Sequence, residues 1–284
     1  MTEAQLRAFV AVAESGSFGE AARRLHMSQP GVSRAVSALE RELGGALFER
    51  PGAELTALGE RSLSRARTIL AEADALRQEH ADERGEVRGH VRLGSMPSVS
   101  ALFSPLLAKL ARRHPELSVA IIEGHDDELV QWVRDGVVDV AVVAGEPAGL
   151  ELQPLLVDAL LAVVPAAHPL AAGPVARSAF AGEPFILTRA GCERIVLDTL
   201  AAAGVVPDVR YEVTEASSIL AMVGEGLGLS IMPRLAAAAP PATVALLELD
   251  PPGERRLALA TARRSPAVRA FLQAAAMLRG PGPT

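Results

Sequence analysis

The sequence predicts three pieces in series: an all-α N-terminal unit with a helix–turn–helix, one long amphipathic helix, and an α/β region of two similar lobes. Three observations predict this. Ser17 to Arg50 is punctuated as two short helices meeting at a tight corner. Ala57 to Glu86 carries an apolar stripe and has no proline, and no glycine between Gly59 and Gly85. From His90 onward, short apolar runs alternate with amphipathic stretches, the grammar of strands covered by helices. The expected boundaries are 1–58, 59–88 and 89–284. The last unit divides into a first lobe of about 89–163 and 254–284 and a second of about 164–253.

The first unit is read from caps and period. A helix from Ala4 to Glu14 supplies Leu6, Phe9, Val10 and Ala13 to a small core. Ser17 and Glu20 form the S-x-x-E pattern that satisfies free amides at a helix start. Ala21, Ala22 and Leu25 then make a short stripe, and His26 and Met27 make the corner. Ser28 suits the next N-cap, and Pro30 falls in the first turn, where a missing N–H is harmless. Val32, Val36, Leu39 and Leu43 repeat on one helical face, and Gly44-Gly45 ends the helix.

Pro30, Ser33, Arg34, Ser37 and Arg41 turn away from that stripe, with Gln29 at its border. Their chemistry suits duplex DNA. Arg34 can pair with guanine O6 and N7, and Gln29 with adenine N6 and N7. Ser28, Ser33 and Ser37 can bond phosphates or base edges, and the free amides at the helix start favour a phosphate. An ordinary helical hairpin with a solvated polar face fits the same pattern.

The stretch SFGEAARRLHMSQPGVSRAVSALERELGGALFER, followed by LTALGE at Leu55 to Glu60, resembles the winged helix–turn–helix of LysR-type transcriptional regulators. The segments SF-x-x-AA-x-x-L, SQP-x-VS, ALE-x-x-LG and LFER carry the resemblance. The wing, Arg50 to Glu54, is slightly shorter than usual for that family and lacks its basic residue, with Glu54 where a phosphate contact is expected. Arg50 and Thr56 remain the wing candidates. The resemblance implies a protein that binds an operator in double-stranded DNA as a dimer or dimer of dimers, answers a small-molecule effector and acts on RNA polymerase. The expected DNA contacts are Arg23, Ser28, Gln29, Pro30, Ser33, Arg34, Ser37, Arg50 and Thr56.

Composition limits the alternatives. Net charge is −6 over 284 residues, which opposes nucleic-acid binding along the whole surface. Residues 1–65 hold eight arginines and eight glutamates, so local clustering of Arg23, Arg24, Arg34 and Arg50 must supply phosphate attraction. No apolar run approaches a membrane span, and Glu3, Arg7 and Glu14 interrupt any leader-like segment. The one cysteine, Cys192, rules out an internal disulfide and fits a reducing cytoplasm.

In the second unit Leu58, Leu63, Ala66, Ile69, Leu70, Ala73 and Leu76 line one side of a polar helix. Packing two copies together would bury that stripe and set two recognition helices on neighbouring half-sites. A solvated spacer helix is the alternative. Leu63, Ile69, Leu70 and Leu76 are the expected dimer contacts, as in the linker of the resembling family, and ERGEVRG (83–89) is the expected hinge.

The third unit reads as strand 91–97, helix 102–113, buried strand 117–124, helix 127–135 and strand 137–145. A second copy follows: strand 184–191, helix 193–203, strand 209–215, helix 217–225 and strand 227–233. Strand 255–261 and helix 266–278 return to the first lobe. This order predicts parallel sheets. Ligands in open α/β sheets bind beyond the carboxyl ends of the strands. The expected effector contacts are therefore Ser95, Met96, Pro97, Ser98, Gly145, Thr188, Arg189, Cys192 and Glu215. Ser98 and Ser100, with nearby amides, could cradle a carboxylate or other anion. Gly224 to Gly228 with Pro233 resembles the closing segment of the LysR effector domain, whose fold is similar to periplasmic substrate-binding proteins.

Cys192 reads as a small buried hydrophobe, with a redox switch as the alternative. The six histidines show no metal spacing, and Asp126-Asp127-Glu128 reads as a helix cap with first-turn acids. No catalytic motif is visible. The sequence thus implies no enzyme, cofactor, metal or membrane partner. A solute-binding module with a helical appendage is the competing function.

Overall fold

A computed structural model describes residues 1–49, 51–82, 87–262 and 265–278. The chain opens with α1 (Glu3–Ser15), α2 (Phe18–Arg24) and α3 (Gln29–Leu43). Ser17 Oγ accepts from the Glu20 N–H at 3.4 Å, while the Glu20 carboxylate turns to Arg23 and Arg24 instead of closing the capping box. His26 makes the corner at φ 52°. Ser28 caps α3, and Gly44 ends it at φ 75°. Val32, Val36 and Leu39 are buried as expected, but Leu43 is 43 % exposed, because the left-handed turn at Gly44 ends the helix before that position reaches the core. Val10 and Ala13 are only half-buried. Ala8, Ala11 and Val12 fill the inner face of α1 with Leu6 and Phe9.

Phe48 joins this core to the wing. Its ring meets Phe9 and Phe18 edge-on, both at 5.5 Å, and its backbone pairs with Leu55 across the wing hairpin. The Glu40 carboxylate accepts from the Leu47 N–H at 2.9 Å, fixing where the chain leaves α3. Helix α4 (Ala57–Asp82) follows at once. At Gly59 a Cβ would stand 2.1 Å from the Leu47 carbonyl oxygen, so only glycine permits that approach.

Along α4 the apolar stripe divides. Ala66 and Leu70 are buried, and Leu58 and Leu63 half-buried, in the core of the same chain. Ion pairs Arg7–Asp74 at 2.8 Å and Arg67–Glu14 at 3.3 Å tie α1 to α4. The expectation that Leu70 meets a second copy is corrected: it packs on its own helical unit and is 8 % exposed, whereas Leu63 is half-buried against that unit and keeps part of its surface open. Ile69 and Leu76 stay exposed. Of the expected hinge, residues 83–86 lie outside the described residues.

The α/β region runs β1 (Gly89–Ser95), α5 (Pro97–Ser100), α6 (Ser104–Arg113), β2 (Leu117–Glu123), α7 (Asp126–Arg134), β3 (Val140–Ala144) and β4 (Glu151–Pro165). It continues through β5 (Val175–Ala176), β6 (Pro184–Thr188), α8 (Glu193–Ala201), β7 (Asp208–Val213), α9 (Ala216–Gly224), β8 (Ser230–Pro233), β9 (Val244–Thr261) and α10 (Pro266–Ala275). Strands β2-β1-β3 are parallel, as are β6 and β7, whereas β9 and β4 run antiparallel to each other and to β3 and β8 respectively. The seven-stranded sheet is mixed, not purely parallel, while the two-stranded β6–β7 sheet is parallel as expected. β2 is an edge strand and only partly covered, which corrects its reading as a buried strand.

The two long strands β4 and β9 pass through both lobes. The sequence reading has no strand over 146–183 or 244–253, so it lacks β4 and half of β9. The first-lobe core takes Leu155 and Leu257; the second-lobe core takes Leu160 and Leu249. The first crossing therefore lies between Leu155 and Leu160, ahead of the expected 163/164, and a register shift in β4 falls at Leu160/Leu161.

A candidate DNA-reading face and an inter-lobe cleft

On α3, Ser28, Gln29, Pro30, Ser33 and Arg34 are exposed and Ser37 is half-buried. Ser28 Oγ accepts from the Gly31 N–H at 3.2 Å, which leaves its own proton for a phosphate. Arg34 Nε donates to the Pro30 carbonyl at 3.3 Å, steering the guanidinium along the helix while its Nη groups take no part in that bond. Gln29, Ser33, Ser37 and Glu40 line a groove between α3 and the wing at Gly52. Arg23 is exposed and paired with Glu20, so part of its charge is already balanced.

Thr56 sits differently. Its hydroxyl donates to the Ala46 carbonyl at 2.7 Å and accepts from the Gly59 N–H at 3.0 Å. Its single proton is engaged, so it has no donor to offer a phosphate. It caps α4, a correction to its place among the wing contacts. Arg50 lies outside the described residues.

The second site is a cleft of about 850 Å³ between the lobes. Its first-lobe wall is His125 to Glu128 at the start of α7, Ala144-Gly145 at the end of β3, and Arg255 on β9. Its second-lobe wall runs from Arg189 through Gly191 and Cys192 into Glu193, Arg194 and Ile195 of α8. The lobes come together at Gly191, whose φ is 86° and whose Cβ position lies 3.3 Å from the Asp126 nitrogen.

Of the expected contacts, Gly145, Arg189 and Cys192 line the cleft. Ser95, Met96 and Thr188 are buried. Pro97 and Glu215 are exposed and Ser98 half-buried, and none of these six lines the cavity. The opening is reached instead by the first turn of α7, the end of β3 and the turn that leads from β6 into α8.

Sequence reasoning missed Asp126, Glu193 and Arg255. Arg255 is 3 % exposed. Its Nε and Nη2 donate to Asp158 Oδ2 at 3.0 and 2.8 Å, Nη2 also to Ser98 Oγ at 3.1 Å, and Nη1 reaches the Met96 sulfur at 3.6 Å. Asp158 Oδ1 accepts from the Leu235 N–H at 3.1 Å. This buried pair joins β4 to β9 where they cross between lobes. Both partners are hydrogen-bonded on several sides, the condition under which a desolvated pair is tolerated.

Burial pushes the Asp126 carboxyl up, and Asp127 and Glu193 add to this, against Arg255 and a backbone hydrogen bond from Ala144. Burial also pushes the Cys192 thiol up, against Arg255 and the Thr188 hydroxyl. His125 Nδ1, Asp126 Oδ1 and Glu193 Oε2 are buried and have no hydrogen-bond partner. Among the described residues no group of three or more His, Cys, Asp or Glu could hold a metal ion, and no helix is long and apolar enough to cross a membrane.

An exposed helix–turn–helix face joined to a two-lobed α/β unit with a cleft narrows the comparison sharply. Residues 4–60 match the family described as bacterial regulatory helix-turn-helix protein, lysR family, and residues 84–278 match the LysR substrate binding domain. The chain belongs to the LysR family. It is a transcriptional regulator with a DNA-binding unit and an effector-binding unit, not an enzyme. A LysR-family chain similar to it is the probable HTH-type transcriptional regulator LrrA of Synechococcus elongatus, 37 % identical over 281 residues, 96 % of this chain and 95 % of that one. A full-length OxyR variant from Pseudomonas aeruginosa has the same fold at a TM-score of 0.76 and 25 % identity, covering 97 % of this chain and 94 % of that one. Full-length CbnR complexed with its target DNA matches at a TM-score of 0.66 and 26 % identity, covering 98 % and 100 %.

Proposed function

We propose that this LysR-family regulator reads its operator with Gln29, Ser33, Arg34 and Ser37 in the major groove, with Ser28 and the first amides of α3 on a phosphate. It binds a small-molecule effector in the inter-lobe cleft and works as a dimer or dimer of dimers in the cytoplasm, where it recruits or releases RNA polymerase. The carrying observation is the exposure of that α3 face, beside a wing held by Phe48 and Glu40. Ile69 and Leu76, left exposed on α4, supply a contact for the second copy. Effector and operator binding are then coupled, each shifting the other by the same free energy.

Replacing Arg34 by Ala tests the reader. Operator affinity should fall by about 1–3 kcal/mol per contact, with base preference relaxed at one position per half-site. Footprinting and fluorescence anisotropy measure both; an unchanged footprint and affinity would move the recognition surface elsewhere. The Cys192 side chain supports the packing role given to it: it is buried, and its raised pKa keeps it a thiol, the less reactive form.

A further inference from the structure

Donors and acceptors do not balance in the inter-lobe cleft. The one buried guanidinium on its wall, Arg255, is committed to Asp158 through Nε and Nη2. Asp126 on the first lobe and Glu193 on the second each bury one carboxylate oxygen with no partner, and His125 Nδ1 on the first-lobe wall is likewise unpartnered. The charges of the two acids repel, and Glu193 helps hold the Asp126 carboxyl above its ordinary range. Arg189 and Arg194 stay exposed at the rim, Arg189 with its Nε 3.8 Å from Glu212. Unpaired acceptors are costly inside a protein and ask for a donor. The expected anion is opposed here. The helix starts that would welcome it already carry their own acids, Asp126 to Glu128 on α7 and Glu193 on α8.

We infer that the effector carries a cationic nitrogen group, a primary ammonium or a guanidinium, that enters between Asp126 and Glu193. This rests on the cleft being the effector site. A group with several N–H donors satisfies both carboxylates at once, and the acids it bridges belong to different lobes. Binding therefore draws the lobes together across the β4–β9 crossing. The volume of about 850 Å³ suits a small organic amine rather than a bare ion.

The test uses the full chain and three probes: putrescine, agmatine and, as the dianion of similar length, succinate. Calorimetry and thermal melting should show saturable binding of at least one amine and a raised Tm. Asp126→Asn and Glu193→Gln, both close in shape to the originals, should each weaken that binding at least tenfold. Asp208→Asn, a surface acid paired with Arg210, should leave it unchanged. Silence toward both amines, or binding of succinate in their place, overturns the inference. If succinate binding is then abolished by Ala144→Trp, which fills the cleft, the cleft remains the effector site with the opposite charge preference. If an amine binds equally well to the carboxylate variants and to Ala144→Trp, both the inference and the placement of the effector fall.

Discussion

The reader and the cleft are built by opposite rules. The reader uses residues close in sequence: Ser28, Gln29, Ser33 and Arg34 occupy less than two turns of one helix, and their polar atoms face water. The cleft joins residues far apart: Arg255 on its wall and the Asp158 that holds it are separated by 97 positions, and its acids come from different lobes. Polar groups at the reader cost little to display, because solvent satisfies them until DNA arrives. Those deep in the cleft, Arg255 and the unpartnered oxygens of Asp126 and Glu193, are desolvated, so each must be matched or it destabilises the fold. Substitutions at the reader should therefore change binding with little effect on stability, and those at the cleft should change both.

The largest expected effect is at the lobe crossing. Asp158→Ala leaves the Arg255 guanidinium buried without its carboxylate and should destabilise the effector unit by about 3–5 kcal/mol. A double change to Leu at 158 and Met at 255 should restore most of that loss. Urea unfolding distinguishes them; a single-variant loss below about 1 kcal/mol would mean the pair is solvated like a surface bridge.

Next come the two leucines of α4. Leu70→Glu inserts a charge into the helical core and should unfold the reader, whereas Leu76→Glu should keep it folded and separate the subunits. Circular dichroism and sedimentation give the two readouts. A folded monomer from Leu70→Glu would return that side chain to the subunit contact.

A smaller effect is expected at Thr56. Thr56→Val removes the cap of α4 and should cost about 1 kcal/mol of stability. The dependence of operator affinity on salt should not change. A slope reduced by about one would place Thr56 on a phosphate.

The smallest is the pH response of Asp126. Its carboxyl lies above the ordinary 3.8 in the folded chain, so the native state holds the proton longer than the unfolded state. Stability falls as pH rises from that ordinary value through the raised one. Asp126→Asn should flatten this limb and leave the protein more stable at neutral pH. Urea midpoints at pH 4 and pH 7 measure it, with Arg255, Asp127 and Glu193 unchanged as the facing charges; an equal slope in both proteins would place the titration elsewhere.

The contrast also explains what was legible. Ser17, Ser28, Pro30 and Gly44 act within one turn of themselves, so the ends of α2 and α3 could be read directly. The lobe-crossing strands could not. Pro154 and Asp158 interrupt the apolar run of β4, and only the pairing with β9 shows that Asp158 has a buried partner. Asp126 was read as a first-turn acid, which it is. That it also reaches the opposite lobe depends on Gly191 approaching it from a distant segment. The three acids opening α7 were the available signal, but capping and ligand recognition call for the same residue type at a helix start. The resemblance in SFGEAARRLHMSQPGVS fixed the family early for a related reason: a groove-reading helix is specified by consecutive residues, whereas a small-molecule cleft is not.

The near-contact of Gly59 with the Leu47 carbonyl has a mechanical consequence. With no room for even a methyl group at that point, and with Arg7–Asp74 and Arg67–Glu14 joining its flank to α1, the first half of the 26-residue α4 is packed into the same core that carries α3. The recognition helix and the rod behind it turn as one body. A rotation of α4 should then change the angle at which the protein meets its operator.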